Sequence, residues 1–403
     1  MKKFIFTLAL LCSLTANGQQ SITVSVENPM SVARTDQPVV IALANYGVVQ
    51  SALVTSNGQE VPCQLDDIDL DEQFDELCFL VDLAAREKKT YTVVLSQEGT
   101  PRSYPARVYA EMVMRNDKVR EKNKHNNFVS SLTVRGDCAN SYNLLHHHGV
   151  DFESELNGIR IYFDQRQTLD LYGKFHKQLE LQATQFYTSD EQKAQGYGDD
   201  VLWVGQTFGL GAFRGWDGTQ PTMVDPVKNR TQRVVSYGPL RTIVEVIDQG
   251  WQADPQKPAL NMTLRYTQYA GHRDTDIDVI FNRDATTYAF STGVINVKGS
   301  TEFSDYLGLR GCWGTDYPST DTVKWKPETV GLAVLIPQQN IITEQRANKD
   351  NYAFCVRPQG KSMAYKVAYC SDNEDFGFHS ADEWFAWMRR WRLEVEHPII
   401  VRF

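Results

Sequence analysis

The stretch 241–282, RTIVEVIDQGWQADPQKPALNMTLRYTQYAGHRDTDIDVIFN, holds three segments that alternate or cluster β-branched and aromatic residues: 241–247, 262–269 and 276–282. Period-two patterning of this kind predicts half-buried strands, since successive side chains of an extended chain point to opposite faces. Turn residues separate the segments at short intervals, so neighbouring strands are expected to pair antiparallel.

Outward from this stretch the same pattern recurs at 21–27 (SITVSVE), 90–95 (TYTVVL), 158–164 (GIRIYFD) and 362–369 (SMAYKVAY). Helical stripes are scarce. The clearest is 380–393, where Ser380 and Glu383 form a capping box and Trp384, Trp387, Met388 and Trp391 share a face. Arg389, Arg390 and Arg392 lie toward its C-terminal end, where cations suit the helix dipole. A linker-like composition at 96–106 (SQEGTPRSYPA) divides the chain. The expected fold is all-β with few short helices: a small N-terminal β-sandwich at 19–100, then large antiparallel sheets stacked face to face at 105–403.

Residues 1–18 read as a secretory signal peptide: Met1-Lys2-Lys3, an apolar run from Phe4 to Leu14, then Ala16 and Gly18 as the small residues before the cleavage point. Leu11 before Cys12 disfavours lipidation. The apolar run is too short for a membrane anchor, and a secreted or periplasmic protein starting at Gln19 is expected. Six cysteines remain, and Cys63 with Cys78 and Cys355 with Cys370 are candidate disulfides in an oxidising compartment. With 50 acidic against 41 basic residues and a formal charge of −9, the chain lacks the electrostatic footprint of a nucleic-acid binder. An anionic ligand would have to be gripped by a few local cations.

Four segments could carry chemistry. In 142–174, YNLLHHHGVDFESELNGIRIYFDQRQTLDLYGK, an extended chain would put His146 and His148 on one face about 7 Å apart, a pair able to grip Zn²⁺ or another divalent ion with Glu153 or Glu155. One of His146, His147 and His148 could instead be a general base or acid. Arg160, Tyr162 and Asp164 share a polar strand face that is either solvated or a cleft. In 196–218, GYGDDVLWVGQTFGLGAFRGWDG, Trp203 and Trp216 beside Arg214 and Asp217 offer what a sugar ring prefers, although loops over a core explain them too. In 269–278, Asp276 and Asp278 could order His272 or Arg273. The acidic run 66–76 imitates the start of a calcium loop with Asp67, Asp69 and Asp71, then departs from it at Glu72 and Cys78.

The chain resembles a family of secreted proteins of polysaccharide-degrading bacteria, catalogued mainly as a domain of unknown function. The matching residues are His148-Gly149, Glu153, Arg160, Tyr162, Tyr172-Gly173-Lys174, Trp203-Val204-Gly205 and Phe213-Arg214-Gly215-Trp216, with Gln64-Leu65-Asp66-Asp67 and Asp75-Glu76-Leu77 upstream. Val150-Asp151-Phe152 stands where the family has Pro-Ala-Trp, and the triple histidine is particular to this chain. The resemblance implies a galactose-mutarotase-like β-supersandwich and a dehydratase related to the one acting on ulvan oligosaccharides, removing water from a uronic acid to leave a 4,5-unsaturated sugar.

That chemistry needs a cation on the carboxylate, a base for the C5 proton and an acid for the departing oxygen. Arg160 or Arg214 could supply the first, His148 or Lys174 the second, and Tyr162 the third; His147 and Glu153 are further catalytic candidates. Arg214, Trp216, Trp203, Asp217, His272 and Tyr172 are the expected substrate-binding residues. The expected function is β-elimination, as dehydratase or lyase, on uronic-acid oligosaccharides, with no required cofactor and with Zn²⁺ or Ca²⁺ as the ions the metal-binding candidates would take. The alternatives are a mutarotase or glycoside hydrolase using Glu153 and a histidine, and a non-catalytic glycan-binding protein.

Overall fold

The computed structural model describes residues 18–403, so the expected signal peptide lies, apart from Gly18, outside the described residues. The three segments at 241–282 are the strands Arg241–Trp251, Leu260–Tyr269 and Asp274–Phe281, paired antiparallel in sequence order. They form the centre of a nine-stranded sheet. Ser131–Arg135 and Asn229–Tyr237 extend it on one side; Ser362–Ser371, Glu328–Leu335, Leu309–Asp316 and Thr301–Ser304 extend it on the other.

Two five-stranded antiparallel sheets lie against it. One comprises Val108–Glu111, Gly149–Ser154, Gly158–Tyr162, Leu169–Gly173 and Asp199–Asp200; the other is built around Arg214–Trp216, Phe290–Ile295 and Asn351–Val356. Residues 204–213 stitch these two together, through a bridge from Leu169 to Gly209 and another from Leu210 to Val294. The stitch explains the glycines of that run. A Cβ at Gly209, where φ is +56°, would meet the Leu169 carbonyl at 2.1 Å, and one at Gly211, where φ is +86°, would meet the Val367 side chain of the large sheet at 2.3 Å. The layers share one core in which Val244, Leu264, Tyr266, Ile277 and Val367 face Phe152, Ile159, Ile161, Leu171 and Phe290. Each such side chain contributes about 1.5–3 kcal/mol through burial.

The long helix Ala381–Glu396 covers the outer face of the large sheet, burying Trp384, Phe385, Met388 and Trp391 against Leu309, Ala333 and Ala368. Ser380 Oγ accepts the Glu383 N–H as predicted, but the Glu383 carboxylate accepts the N–H of His379 rather than that of Ser380. No helix among the described residues is long and apolar enough to cross a membrane.

The small sandwich pairs a five-stranded with a three-stranded sheet around its own core of Val24, Val39, Phe79 and Val93. Its edge strand is Ile400–Arg402, which returns from the end of the chain to pair with Gln19–Glu27. Buried polar groups fasten it to the large sheet: Gln64 Oε1 accepts the N–H groups of Leu240 and Arg241, while the Arg241 guanidinium donates to Asp66 and Glu76.

Both expected disulfides are absent; the six cysteines are free thiols. Cys63 and Cys78 are one residue out of register, Cys63 facing Phe79 and Gln64 facing Cys78, so their side chains leave opposite faces. Cys355 and Cys370 stand in different sheets.

Candidate active site

The sheet containing Gly149–Ser154 gives its apolar face (Ala110, Val150, Phe152, Ile159, Ile161, Leu171) to the core. Period two then forces the alternate residues outward. Register places Glu111 opposite Asp151, Asp151 opposite Arg160, and Arg160 opposite Asp170, a row of four ionisable residues across four adjacent strands. The polar face predicted for Arg160, Tyr162 and Asp164 holds for the first two; the strand ends at Tyr162, and Asp164 lies in the bend beyond it, accepting from Arg166. The face is neither open nor solvated, since all three residues are buried. Arg160 donates through Nε and Nη2 to Asp170 and through Nη2 to Asp200, at 3.0 Å from the latter, and its guanidinium lies 4.2 Å from the Phe186 ring centroid. The Tyr162 hydroxyl donates to the same Asp170 oxygen at 2.6 Å. Burial, with Asp170 alongside, pushes the Asp200 carboxyl well above the usual carboxylate range.

Above one end of this row lies a cavity of about 330 Å³ lined by Arg115, Arg120, Lys122, His125, His146, His148 and Tyr187, with Asn116, Asp117 and Val119 completing the wall. The histidine run that borders it is not extended. Residues 144–148 form a turn and His148 sits at φ +73°, so the chain reverses direction before entering Gly149–Ser154. The His148 ring stacks on Tyr142 with centroids 3.8 Å apart and stands edge-on to Tyr162. Its Nδ1 lies 3.2 Å from the Tyr142 carbonyl. A carbonyl only accepts, so Nδ1 carries the proton and Nε2 keeps its lone pair. Burial, reinforced by Arg160, lowers the His148 pKa to about 4. His148 is thus a neutral base on the wall of a cation-rimmed pocket.

A family profile described as a domain of unknown function, DUF4861, matches residues 26–401. The chain belongs to the DUF4861 family. A search of curated proteins returned no match. A solved structure described as a protein in glycosyl hydrolase family 38 from Enterococcus faecalis is similar at a TM-score of 0.47 and 9% identity, over 95% of this chain and 47% of that one. The DUF4861 chain therefore spans about half the length of that protein.

In this DUF4861 member only part of the expected constellation assembles. His148, Tyr162 and Arg160 come together beside the pocket. Lys174 and Glu153 do not: the Lys174 ammonium donates to Glu153 Oε2 at 2.5 Å and to the carbonyls of Ser154 and Gln178, which uses all three protons. Glu153 also accepts the N–H groups of Glu180 and Leu181, tying down the segment that leads into the short helix Leu181–Thr184. The pair is a buried brace rather than a base and a carboxylate facing a ligand. Tyr172 is fully buried and donates to the Gly198 carbonyl.

The substrate-binding expectations are corrected more broadly. Arg214 is buried, with every nitrogen of its guanidinium donating to the Arg166, Gln206 and Thr207 carbonyls or to Thr168 Oγ1, and burial lowers its pKa to about 10. Asp217 is exposed and holds its own turn by accepting the N–H groups of Thr219 and Gln220. Trp216 is half-buried on the strand Arg214–Trp216, outside the pocket lining. His272 bridges the two units instead, between Asp274 and the Asp36 carbonyl. Trp203 is exposed, two residues before Gly205, whose carbonyl accepts from Arg166. Arg166 in turn lies over the Tyr142 and Tyr162 rings, so this loop reaches toward the pocket.

The metal expectation is corrected as well. Residues 144–148 form a turn rather than an extended strand; His146 and His148 both line the pocket, but they are held by different partners. His146 is held by the Lys122 carbonyl and stacks on His125 at 3.6 Å, and burial takes its pKa down to about 3. The histidine whose donor atoms converge with carboxylates is His147, between Glu111 and Asp151. In the 66–76 run, Asp67, Asp69 and Asp71 do bring carboxylate oxygens within 4.8 Å of one another, and Asp67 also accepts the N–H groups of Leu70, Asp71 and Glu72, organising a largely exposed turn.

Reading the sequence alone missed Tyr187, Arg115, Arg120, Lys122, Glu111 and Asp151. One signal was available: five of the ten residues 115–124 are Lys or Arg, a local reversal of the chain's overall charge.

Proposed function

We propose that this protein is a carbohydrate-active carbon–oxygen lyase that performs β-elimination on uronic-acid-ended oligosaccharides. The observation that carries the reading is a neutral histidine with a free Nε2 on the wall of a pocket rimmed by Arg115, Arg120 and Lys122, in a chain of net charge −9. Local cations in an acidic protein favour an anionic ligand. Burial is the larger cause of the low His148 pKa; an anionic ligand opposes the second, the field of Arg160. The sequence resemblance implies the same chemistry.

In the proposed reaction Arg120 and Lys122 neutralise the sugar carboxylate, which acidifies the C5 proton. His148 Nε2 takes that proton, the C5–H electron pair becomes the C4=C5 double bond, and the C4–O bond breaks with its pair passing to oxygen. Tyr187, which lines the pocket, protonates the departing oxygen; Tyr162 has its proton engaged by Asp170 and acts with Arg160 to fix the wall. Water leaves if C4 bears a hydroxyl, and a sugar leaves if it bears a glycosidic bond.

A glycoside hydrolase needs two carboxyl groups facing the scissile bond. The pocket lining holds one, Asp117, already paired with Arg115. Product mass separates the readings: dehydration removes one water, a lyase conserves total mass and hydrolysis adds one water. A product lacking water, or a pair of products conserving mass with one unsaturated, supports elimination; products that have gained water overturn it.

A further inference from the structure

Next to the pocket, on the outward face of the same sheet, three side chains present buried donor atoms to one another. Glu111 and Asp151 stand directly opposite on adjacent strands, and His147 enters from the turn four residues before Asp151. His147 Nε2 lies 3.4 Å from Glu111 Oε1 and 3.4 Å from Asp151 Oδ2. None of these contacts is aligned as a hydrogen bond. Glu111 Oε1, both Asp151 oxygens and both His147 nitrogens have no hydrogen-bond partner among the described residues, although all three side chains are at most 2% exposed.

This is costly for an unligated protein. Two carboxyl groups facing each other across strands repel when ionised, and an unsatisfied buried polar atom costs about 1–3 kcal/mol. The neighbouring Arg160 lends its charge but no hydrogen bond to these carboxylates: its Nε and Nη2 are engaged by Asp170 and Asp200, and its Nη1 is without a partner among the described residues. A divalent cation would satisfy all the orphaned oxygens at once and balance both carboxylates. The remaining Glu111 oxygen accepts the Tyr109 hydroxyl at 2.6 Å, the outer-sphere bond that orients a metal-ligating carboxylate.

We infer that Glu111, His147 and Asp151 form a binding site for a divalent first-row transition metal of the Zn²⁺ class. One imidazole nitrogen with two carboxylates suits such an ion; Ca²⁺ requires six to eight oxygens, which this set does not supply. The ion would join the turn 144–148 to the strands Val108–Glu111 and Gly149–Ser154, holding His148 at the pocket wall from the adjacent position.

The test is metal content, which stands whether or not the elimination chemistry does. Full-length mature protein is stripped with EDTA, equilibrated with Zn²⁺, desalted and measured by mass spectrometry of the metal. About one ion per chain is expected, as is a melting temperature that rises with Zn²⁺ concentration. Glu111→Gln and Asp151→Asn, checked for folding by circular dichroism, should abolish retention, and Tyr109→Phe should weaken it about 10–100-fold. Wild-type protein that retains no Zn²⁺ or Mn²⁺ and melts at the same temperature with and without them overturns the inference, a reading that does not depend on any variant folding. Full retention by folded Asp151→Asn overturns it equally.

Discussion

Arg160 Nη2 lies 2.7 Å from Asp170 Oδ2, directly across two paired strands, and the Tyr162 hydroxyl shares that oxygen. Asp170 is therefore the joint acceptor of the two residues that back the pocket wall. Replacing it by Ala leaves Arg160 buried with Asp200 as its remaining carboxylate partner and strands the Tyr162 proton. Removing one member of a buried pair costs about 3–5 kcal/mol. Urea unfolding of Asp170→Ala should show a loss of that size, and an effect under about 1 kcal/mol, the range of exposed pairs, would show that the row is solvated.

Glu153 lies on the same sheet and Lys174 directly follows its strand Leu169–Gly173, yet their bonding assigns them to the scaffold. Lys174→Met strands the Glu153 carboxylate and should destabilise by about 3–5 kcal/mol, whereas Lys174→Met combined with Glu153→Gln should recover much of the loss. Denaturant midpoints of the single and double variants test this. Once turnover is measurable, folded Lys174→Met should keep the wild-type pH profile; loss of the ascending limb would return Lys174 to the chemistry as a base.

His272 gives the fold a pH dependence of known sign. Burial opposes its charged form, but the hydrogen bond to Asp274 and that carboxylate's charge prevail and raise its pKa above 6.5. The imidazolium therefore stabilises the folded state fully below the unfolded value of 6.5, and this contribution is lost as pH rises through the raised folded value. Melting temperatures of wild type and His272→Gln should diverge most below pH 6.5 and draw together as pH rises through the raised folded value. A difference that grows with rising pH would contradict the assignment.

The stretches most legible in the sequence were those where one physical signal dominates. Alternation at 241–282 and 362–369 located the central strands, and the tryptophan stripe at 380–393 located the helix, because in both the buried face follows local periodicity. The same logic found that Arg160 and Tyr162 share a face, but carried the strand two residues too far, to Asp164. It could not say that loops from distant sequence roof that face over, nor that Asp170 and Asp200 arrive to neutralise Arg160. The aromatic Gly-rich run misled for a related reason: Gly209 and Gly211 answer to close packing between sheets, and Arg214 to four oxygen atoms inside the protein. The histidines misled because their reading assumed an extended chain, which the turn at 144–148 interrupts.

The cations at the pocket mouth should discriminate by charge. Arg120→Ala with Lys122→Ala should weaken binding of an acid-ended oligosaccharide by up to about thirtyfold, two exposed contacts each worth up to about 1 kcal/mol, and leave a neutral analogue nearly unaffected. Calorimetric titration at low and high salt checks this, since the acidic ligand alone should lose affinity as salt rises. Equal losses for both ligands would place the sugar carboxylate elsewhere.

The central claim is that His148 Nε2 removes the C5 proton of a uronate at this pocket. The most direct measurement follows ultraviolet absorbance of the unsaturated uronate during incubation of wild type and His148→Ala with a panel of uronate-ended oligosaccharides, with folding verified for both. The account predicts a steady rise for the wild type on at least one substrate and a loss of about 10²–10⁴-fold for the variant, the usual contribution of a general base. No absorbance from the wild type across the panel, or an unchanged rate in folded His148→Ala, would contradict it.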